Sequence, residues 1–534
     1  MNTHPVALWL HSLFVKYFYV YLPPEGREFF DNWSPDSIVI CTACTLCLAL
    51  LLPTVFIKAT FPPPKKRQEA IVAGGLFLQQ FNLDLPKVTT HVMLIGQSGS
   101  GKSSWIKRAA PELLSNRMCG CVLAAVKPSE INSFLHAVKK AGRTDYKILK
   151  PGKSKFNPLA YELFDRKGGS PESFASLLER CDMLMATASD KGSESFWRKA
   201  QTETAVHAIG AAKIAFGRAV TLKDVYDVAA NVPASPELVG RKLDSWRQNR
   251  CRAILEMAQK NAVTEQEKRR VNDAIEYLTV RLPQAGSKVI GATSMSLSGL
   301  IAPLIRGQLY DTVVTETSDI TPDDALNGQL VGLDCPVLES KGNHLLHALF
   351  MLQSQEACLA REITKTTPYV LIFVDEYQLI ASPEFDSEAI TVFRSQRVGK
   401  ITAVQSLSVL QNAMDDGIRA KQQANALVGN HATHVYFQNT DEETGEFFSK
   451  LCGKQIRTLT GGGQSASENP SVLKGNFSMN FHQTLMERKL PSALSRLRGG
   501  GTPDFTVTCY LHQTGTKFEN GLPFTKRSFT QDLS

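Results

Sequence analysis

Apolar stretches alternate with polar segments along the chain. The apolar stretches in the first 67 residues are longer than those in the rest of the chain. The segment 38–57 holds twenty residues without a charge, which is about the length that a helix needs to cross a bilayer core. The segment 6–22 is apolar and aromatic but contains His11 and Lys16, so it is a weaker span that could instead lie in the membrane interface. We therefore predict an N-terminal membrane anchor over residues 1–67, with spans at about 6–22 and 38–57.

The charges around these spans set the expected orientation. The loop between them carries four acidic residues against one arginine, whereas three lysines and Arg67 follow the second span closely. Positive charge marks the cytoplasmic side of a membrane protein. A cleaved signal peptide fits poorly, because the apolar run starts late and lacks a small-residue cleavage site. We expect the chain beyond residue 67 to lie in the cytoplasm.

Beyond the anchor, apolar runs typical of buried strands alternate with helix-compatible segments. Val92–Ile95 precedes a glycine-rich loop, and YVLIFV at 369–374 is an uninterrupted apolar run, as expected of strands buried on both faces of a parallel sheet. From about 170 to 299, helix-rich segments are broken by turn residues, without strand-like alternation. The pattern predicts an α/β nucleotide-binding domain with a parallel-rich sheet (68–169 and 300–534) and an inserted all-α domain (170–299).

A phosphate-binding loop follows the first of these strands. GQSGSGKS fits the pattern G-x-x-x-x-G-K-[ST] between a strand and a helix-compatible segment. Its glycines let backbone N–H groups point at phosphates, Lys102 would bind the β and γ phosphates, and the Ser103 hydroxyl would bind Mg²⁺. The expected nucleotide-binding residues are Gly96, Gln97, Ser98, Gly99, Ser100, Gly101, Lys102, Ser103 and Ser104.

Two acidic residues end the second apolar run. Asp375 would bind Mg²⁺, and Glu376 would polarise water for attack on the γ phosphate. A protein that only binds a nucleotide has no need of Glu376. Hydrolysis of ATP is therefore predicted, with Glu376 and Lys102 as catalytic residues.

A third strand candidate adds a glutamine and two arginines. Its apolar part ends at Gln405, where an amide beside the γ phosphate can sense whether that phosphate is present. Arg394 and Arg397 precede the strand. Either is a candidate arginine finger for a neighbouring subunit, or both are solvated surface residues. We take Arg394 as the provisional choice.

Charge and cysteine content add little that is specific. The formal net charge is +8, which is compatible with nucleic acid or an anionic membrane surface and diagnostic of neither. Eleven scattered cysteines indicate reduced, cytosolic thiols. Cys41, Cys44 and Cys47 have a spacing that suggests a metal site, but they lie in the second predicted span and are better explained as small apolar residues.

The succession of motifs resembles the coupling proteins of type IV secretion and conjugation systems, the TraG/TraD-like group of RecA-like motor ATPases. The resemblance covers most of the chain, including the membrane hairpin, the phosphate loop and the strand that ends in Asp375 and Glu376. The further segments that carry it are SKFNPLA (154–160), ESFWRKAQTETAVHAI (194–209), ITAVQSLSVLQ (401–411) and VGNHATHVYFQNTDEETGEFFSKLCGK (428–454).

This resemblance implies a homo-hexameric ATPase in the bacterial inner membrane that uses ATP and Mg²⁺. Such a protein brings relaxase-bound DNA, single-stranded or double-stranded, to type IV secretion channel components and drives its transfer. It also implies that the all-α domain meets substrate, which makes the basic segment 240–252 a candidate DNA or relaxosome face. A solvated amphipathic helix is the more common explanation of such a segment.

Two other functions stay open. One is a chromosome-segregation or DNA-packaging translocase of the same superfamily. The other is a substrate receptor or adaptor that uses ATP for assembly.

Two segments do not fit the pattern of motifs. The sequence KPSE, Lys127 to Glu130, stands where the family usually shows an Asp followed by Lys and an acid, and the missing Asp leaves the role of this loop open. The segment 459–475 is glycine-rich and polar, which predicts a mobile connection.

Overall fold

The computed structural model describes residues 76–185, 195–236, 248–414, 418–465 and 476–531. Both predicted membrane spans, the three N-terminal cysteines and most of the basic segment 240–252 lie outside these ranges. Within the described ranges, no helix combines the length and the apolar character needed to cross a bilayer. The eight cysteines described there are all buried and unpaired.

Nine of the described strands form one twisted, mostly parallel sheet, and two form a separate hairpin. The order in the large sheet is β11-β10-β7-β1-β6-β5-β2-β4-β3, and only β10 and β11 run antiparallel to their neighbours. The strands are β1 Val92–Ile95, β2 Cys119–Ala124, β3 Tyr146–Leu149, β4 Leu330–Leu333, β5 Tyr369–Val374, β6 Val398–Val404, β7 Thr433–Tyr436, β8 Lys454–Ser465, β9 Asn476–Glu487, β10 Thr506–Gln513 and β11 Phe524–Thr530.

The helices connect these strands and cover the sheet. Short 3₁₀ turns lie at Gly217–Ala219, Tyr377–Leu379 and Pro491–Ala493, and π turns at Tyr161–Asp165 and Tyr277–Arg281. The α-helices are α1 Leu76–Gln80, α2 Leu85–Val88, α3 Lys102–Leu114, α4 Pro128–Lys140, α5 Pro158–Ala160, α6 Pro171–Met185, α7 Ser195–Phe216, α8 Leu222–Ala230, α9 Arg250–Asn261, α10 Glu265–Glu276, α11 Leu282–Gln284, α12 Ser287–Ile301, α13 Gln308–Val313, α14 Pro322–Leu326, α15 Lys341–Ala360, α16 Pro383–Phe393, α17 Leu407–Met414, α18 Ile418–Gly429 and α19 Glu442–Cys452.

Alternate residues of the central strands pack on opposite faces of the sheet. On β1, Met93 and Ile95 join the core that includes the helices between β3 and β4, whereas Val92 and Leu94 join the core that holds Trp105 of α3. All four residues are fully buried. The predicted α/β fold with a parallel-rich sheet is thereby confirmed, and the central strands are mostly apolar because helices cover both faces. Lys400 and Thr402 of β6 are buried polar exceptions.

All secondary structure described between Pro171 and Ile301 is helical. This stretch leaves the sheet after β3 and returns before β4, the strand that pairs with β3 in parallel. The sequence predicts helices in the same place. The division into a separate domain over 170–299 stays a prediction.

One local prediction is wrong. The segment 459–475 was expected to be a mobile connection, yet its first part, up to Ser465, belongs to β8, which pairs antiparallel with β9 along twelve residues. Residues 466–475 lie outside the described residues. Three glycines in a row disfavour a strand locally. The antiparallel pairing with β9, the next strand along the chain, overrides that preference.

Candidate functional site

The loop between β1 and α3 has the geometry of a phosphate-binding loop. Gly99 and Gly101 have φ values of 75° and 105°, which glycine adopts without strain. A Cβ on Gly96 would lie 2.5 Å from Ser100 Oγ and 2.6 Å from Phe437 Cβ. The glycines are therefore required by the backbone path and by close packing against the residues after β7.

Lys102 is buried in this loop. Its Nζ donates to the carbonyl oxygens of Gly96 at 2.6 Å and Gln97 at 3.2 Å. Burial lowers the pKa of Lys102, while the charges of Asp375 and Glu376 raise it. The ammonium group thus lies inside the loop curve, within electrostatic reach of both predicted carboxylates.

The parallel arrangement of the strands places Asp375 and Glu376 beside the phosphate loop, at the carboxyl ends of the strands. β1 pairs with β6 and β6 pairs with β5, all in parallel, so the carboxyl ends of these strands lie side by side. Ser103 Oγ donates to Asp375 Oδ2 at 2.6 Å across 272 residues of sequence. The predicted Mg²⁺-binding pair, Ser103 and Asp375, is therefore in direct contact.

Glu376 turns out of β5 with a left-handed backbone, at φ 51°. Its N–H donates to Asp375 Oδ1 at 3.0 Å, which holds the Asp375 carboxylate against the backbone of Glu376. A left-handed conformation is uncommon for glutamate and is found most often where function requires it.

Three side chains donate to the carboxylate of Glu376. Lys127 Nζ lies 2.8 Å from Oε1, while the amides of Gln378 and Gln405 lie 2.7 Å and 3.0 Å from Oε2. Burial raises the pKa of Glu376, but these three hydrogen bonds outweigh it and the net shift is downward. The carboxylate is held in its charged form.

Lys127 and Glu130 belong to the site although the sequence left their loop without a role. Glu130 Oε2 accepts the N–H groups of Val126 at 2.6 Å and Lys127 at 3.2 Å, and so caps α4. An acid three residues after a helix-initiating position is the sequence signal for such a cap. What the sequence could not provide is the distance between Lys127 and Glu376, 249 residues apart.

Residues after β7 also reach the site, and the sequence analysis assigned them no role. Asn439 Nδ2 donates to the carbonyl oxygen of Gln405 at 2.9 Å, and Gln97 N–H donates to the carbonyl of Gln438 at 3.0 Å. Gln405 thus lies at the end of β6 as predicted, with its main chain held by Asn439.

Strand β10 and the residues around it pack against the phosphate loop. A Cβ on Gly101 would lie 2.7 Å from Val507 Cγ1. Gln531 accepts the N–H of Gly501 at 2.8 Å, and its amide lies 3.4 Å from Ser104 Oγ. The phosphate loop is therefore packed against β10 and the residues that flank it.

The two candidate arginines lie elsewhere. Arg397 donates to the carbonyl oxygens of Lys365 and Thr367 and lies over the ring of Tyr369, at the beginning of β5. Arg394 is exposed directly after α16. Both arginines precede β6, whereas Gln405 follows it. They therefore lie at the amino ends of the parallel strands, opposite the carboxyl ends where the phosphate loop of the same chain lies.

The donor set fits a nucleotide phosphate with a hard divalent cation. Hydroxyl and carboxylate oxygens suit Mg²⁺, which keeps several waters and takes further ligands from substrate phosphates. No cluster of three potential metal-ligating side chains occurs among the described residues. Lys102 and the loop N–H groups complete a site for phosphate oxygens.

Comparison with known proteins gives one family. A family model described as type IV secretory system conjugative DNA transfer matches residues 56–485. No curated protein matches the chain.

Three solved structures of one relative share the fold. The unbound form of the bacterial conjugative coupling protein TrwBdeltaN70 is 14% identical, with a TM-score of 0.52 over 84% of this chain and 86% of that chain. TrwB with the ATP analogue ADPNP is 15% identical, with a TM-score of 0.51 over the same shares. TrwB with ADP and Mg²⁺ is 14% identical, with a TM-score of 0.51 over 85% and 87%. At these identities the likeness shows the fold alone.

Proposed function

The chain belongs to the type IV secretory system conjugative DNA transfer family, and from this premise we propose that it is an ATP-hydrolysing coupling protein. It recruits relaxase-bound DNA to a type IV secretion channel and drives its transfer. Its substrate is ATP, and Mg²⁺ is its metal. The binding of ADPNP and of ADP with Mg²⁺ by TrwB supports this proposal.

The observation that carries the proposal is the contact set around Glu376. A buried carboxylate stands beside the phosphate loop, and the strand-end amide of Gln405 donates to it at 3.0 Å. This arrangement supports hydrolysis over binding alone, because binding requires neither a base nor an amide that touches the base.

Each residue has a distinct task in this mechanism. The loop N–H groups and Lys102 bind the phosphates, and Glu376 orients the attacking water and draws on its proton. Ser103 and Asp375 would hold Mg²⁺, which when bound supplies positive charge to the phosphate oxygens. Gln405 links Glu376 to the end of β6 by a hydrogen bond, so that a change at the phosphates can displace the end of that strand.

The proposal for the whole molecule is a homo-hexamer anchored in the bacterial inner membrane by residues 1–67, with its bulk in the cytoplasm. The two apolar segments and the basic residues after them support the anchor. A ring would bring Arg394 of one subunit toward the phosphate loop of the next, and this is the support for its role as an arginine finger. The helical segment 170–299 is proposed to face the DNA substrate.

The test uses the chain from residue 68 onward, assayed for ATP hydrolysis with and without single-stranded and double-stranded DNA. Glu376→Gln should reduce turnover by about 100-fold or more, while Glu276→Gln on exposed α10 should leave it unchanged. Plasmid transfer between cells should fail in the Glu376→Gln strain. If transfer persists with turnover abolished, the protein is a substrate adaptor that uses ATP for assembly.

A further inference from the structure

The carboxylate of Glu376 is restrained by the three donors that surround it. Oε1 faces Lys127, and Oε2 faces Gln378 and Gln405. The Glu376 side chain is 7% exposed and that of Lys127 is 48% exposed. The inference drawn from this contact rests on the proposed ATPase function and concerns how the site is regulated.

The ion pair marks a resting state of the base. A general base must present an oxygen to the water it activates, yet Oε1 faces an ammonium group and Oε2 accepts two amides. An oxygen paired with an ammonium is also less basic. Both acceptor sites of Oε2 are occupied, and Oε1 keeps one free site beside an ammonium group that lowers its basicity. Departure of the ammonium group would therefore give Glu376 its most basic oxygen.

Lys127 is the donor that can leave at least cost. Gln378 lies two residues from Glu376 in the same turn, and Gln405 is fixed through its carbonyl by Asn439. Lys127 stands on the turn after β2, where Glu130 holds its main chain by two N–H bonds while its side chain is half exposed. Only the Lys127 end of the pair is exposed, so its ammonium group can return to water while Glu376 keeps its two amide donors. The side chain can therefore reorient without moving the backbone.

On leaving Glu376, the Lys127 ammonium group can bind phosphate oxygens held by the phosphate loop. Lys127 pairs with Glu376 at 2.8 Å, and the neighbouring Asp375 accepts from Ser103 Oγ of the phosphate loop at 2.6 Å. The Lys127 ammonium group is therefore separated from the loop only by these two adjacent carboxylates. A bound triphosphate adds negative charge at this place that a diphosphate lacks.

We propose that Lys127 is a switch that reads the nucleotide state: it pairs with Glu376 when the site is empty or holds ADP, and leaves Glu376 for the terminal phosphate when ATP binds. The missing Asp before Lys127 does not remove the function of this loop, because the backbone is held by Glu130.

The experiment measures affinity for ADP and for the non-hydrolysable analogue ADPNP, both with Mg²⁺. Lys127→Met should weaken ADPNP binding about tenfold and change ADP binding less than about twofold. Lys127→Arg should restore most of the loss, and Lys139→Met, an exposed lysine on α4, should have no effect. Thermal unfolding of each variant checks that it is folded, and Lys127→Gln serves as a second neutral variant.

A double variant tests the exchange of partners. Glu376→Gln releases Lys127 and should strengthen ADPNP binding by about fivefold without affecting ADP. In the Lys127→Met background the same substitution should have no effect, because the ion pair is already absent. Equal effects on ADP and ADPNP, or additive effects of the two substitutions, would overturn the switch.

The control for the proposed function is Lys102→Ala, which should abolish binding of both nucleotides. If the wild-type chain binds neither nucleotide, the ATPase proposal fails and the switch fails with it. If both nucleotides bind but Lys127→Met does not distinguish them, the switch alone fails.

Discussion

Glu130 holds a carboxyl group in a place that solvates it poorly. Its Oε1 is buried and has no hydrogen-bond partner within the described residues, and it lines a cavity of about 50 Å³ with Ser103 and Asp375. Burial, together with the nearby charge of Asp375, raises the pKa of Glu130 to about 7 in spite of its two backbone hydrogen bonds. The folded protein therefore keeps a proton that an unfolded glutamate loses near pH 4.5.

This shift predicts a pH-dependent stability in the nucleotide-free protein. The contribution of Glu130 is fully present below pH 4.5 and is lost as the pH rises to about 7. Glu130→Gln keeps an oxygen for the two N–H groups and cannot ionise, so it should stabilise the protein at pH 8 by at most about 3 kcal/mol. It should have little effect at pH 4. Urea unfolding across this range measures the difference, with Glu276→Gln as the exposed control; equal effects at both pH values would contradict the prediction.

A buried ion pair supports the turn that carries Glu376. Lys400 Nζ lies 2.6 Å from Asp386 Oδ1, and the two side chains are 1% and 2% exposed. Tyr377, the residue after Glu376, donates its hydroxyl to Asp386 at 2.6 Å. The turn that carries Glu376 is therefore held by a buried network that links β6 and α16.

Removing one partner of this pair should be costly. Lys400→Met leaves Asp386 charged in an apolar interior and should destabilise the protein by about 3–5 kcal/mol. Adding Asp386→Asn should recover part of the loss, because asparagine can still accept from Tyr377 and from the Ser382 N–H that binds Asp386. Urea unfolding measures the change in the free energy of unfolding, with Lys139→Met as the surface control. A decrease below about 1 kcal/mol for Lys400→Met would contradict the expected cost of an unpaired buried charge.

At the scale of elements, the sequence predicts best where local chemistry and tertiary structure agree. β1, β5 and the end of β6 follow from uninterrupted apolar runs, and the phosphate loop follows from its glycines. These segments bring Ser103, Asp375 and Gln405 to one edge because parallel strands end together. The pattern therefore predicts the centre of the site.

The sequence fails where a contact joins distant segments without a local signal. Lys127 meets Glu376 only because β2 and β5 are neighbours in the sheet, and Asn439 approaches Gln405 only because β7 stands beyond β1. Hairpin β8–β9 is missed because its glycines argue against a strand. For Lys127 and Asn439 the contact depends on a strand that is distant in sequence, whereas for the hairpin the local glycine signal is misleading.

The hairpin can be tested as an element. β8 and β9 pair only with each other among the described strands, and Ile456 and Phe481 on one of its faces are 68% and 66% exposed. Replacing residues 455–486 by an Asn-Gly turn between the paired Lys454 and Glu487 should leave ADP affinity within about twofold, because such a hairpin adds little to a neighbouring sheet. Loss of nucleotide binding would show that the nucleotide-binding sheet depends on the hairpin.

At the scale of the whole molecule, the sheet separates Arg394 from the phosphate loop of its own chain. β6 spans seven residues between them, which is about 20 Å of extended chain. If Arg394 acts on ATP, it therefore acts on the site of another subunit.

Mixing two inactive variants tests this arrangement. Arg394→Ala subunits keep Glu376, and Glu376→Gln subunits keep Arg394, so in mixed rings on the order of a quarter of the interfaces would pair two intact residues. ATP hydrolysis should return on mixing, whereas each variant alone stays inactive. Arg397→Ala should instead lower stability through its lost carbonyl contacts. No recovery on mixing would contradict a role of Arg394 in a neighbouring site.

The contact between Ser104 and Gln531 has a consequence for biosynthesis. The two residues are 427 positions apart in the chain, so a ribosome working at about 5–20 residues per second needs roughly 20 to 90 s to supply the second after the first. Asp375 follows Ser103 by 272 positions, so for the first part of that time the phosphate loop lacks the acidic turn as well as the strands that pack on it. A translation product interrupted in that first part carries the loop without Asp375 and Glu376.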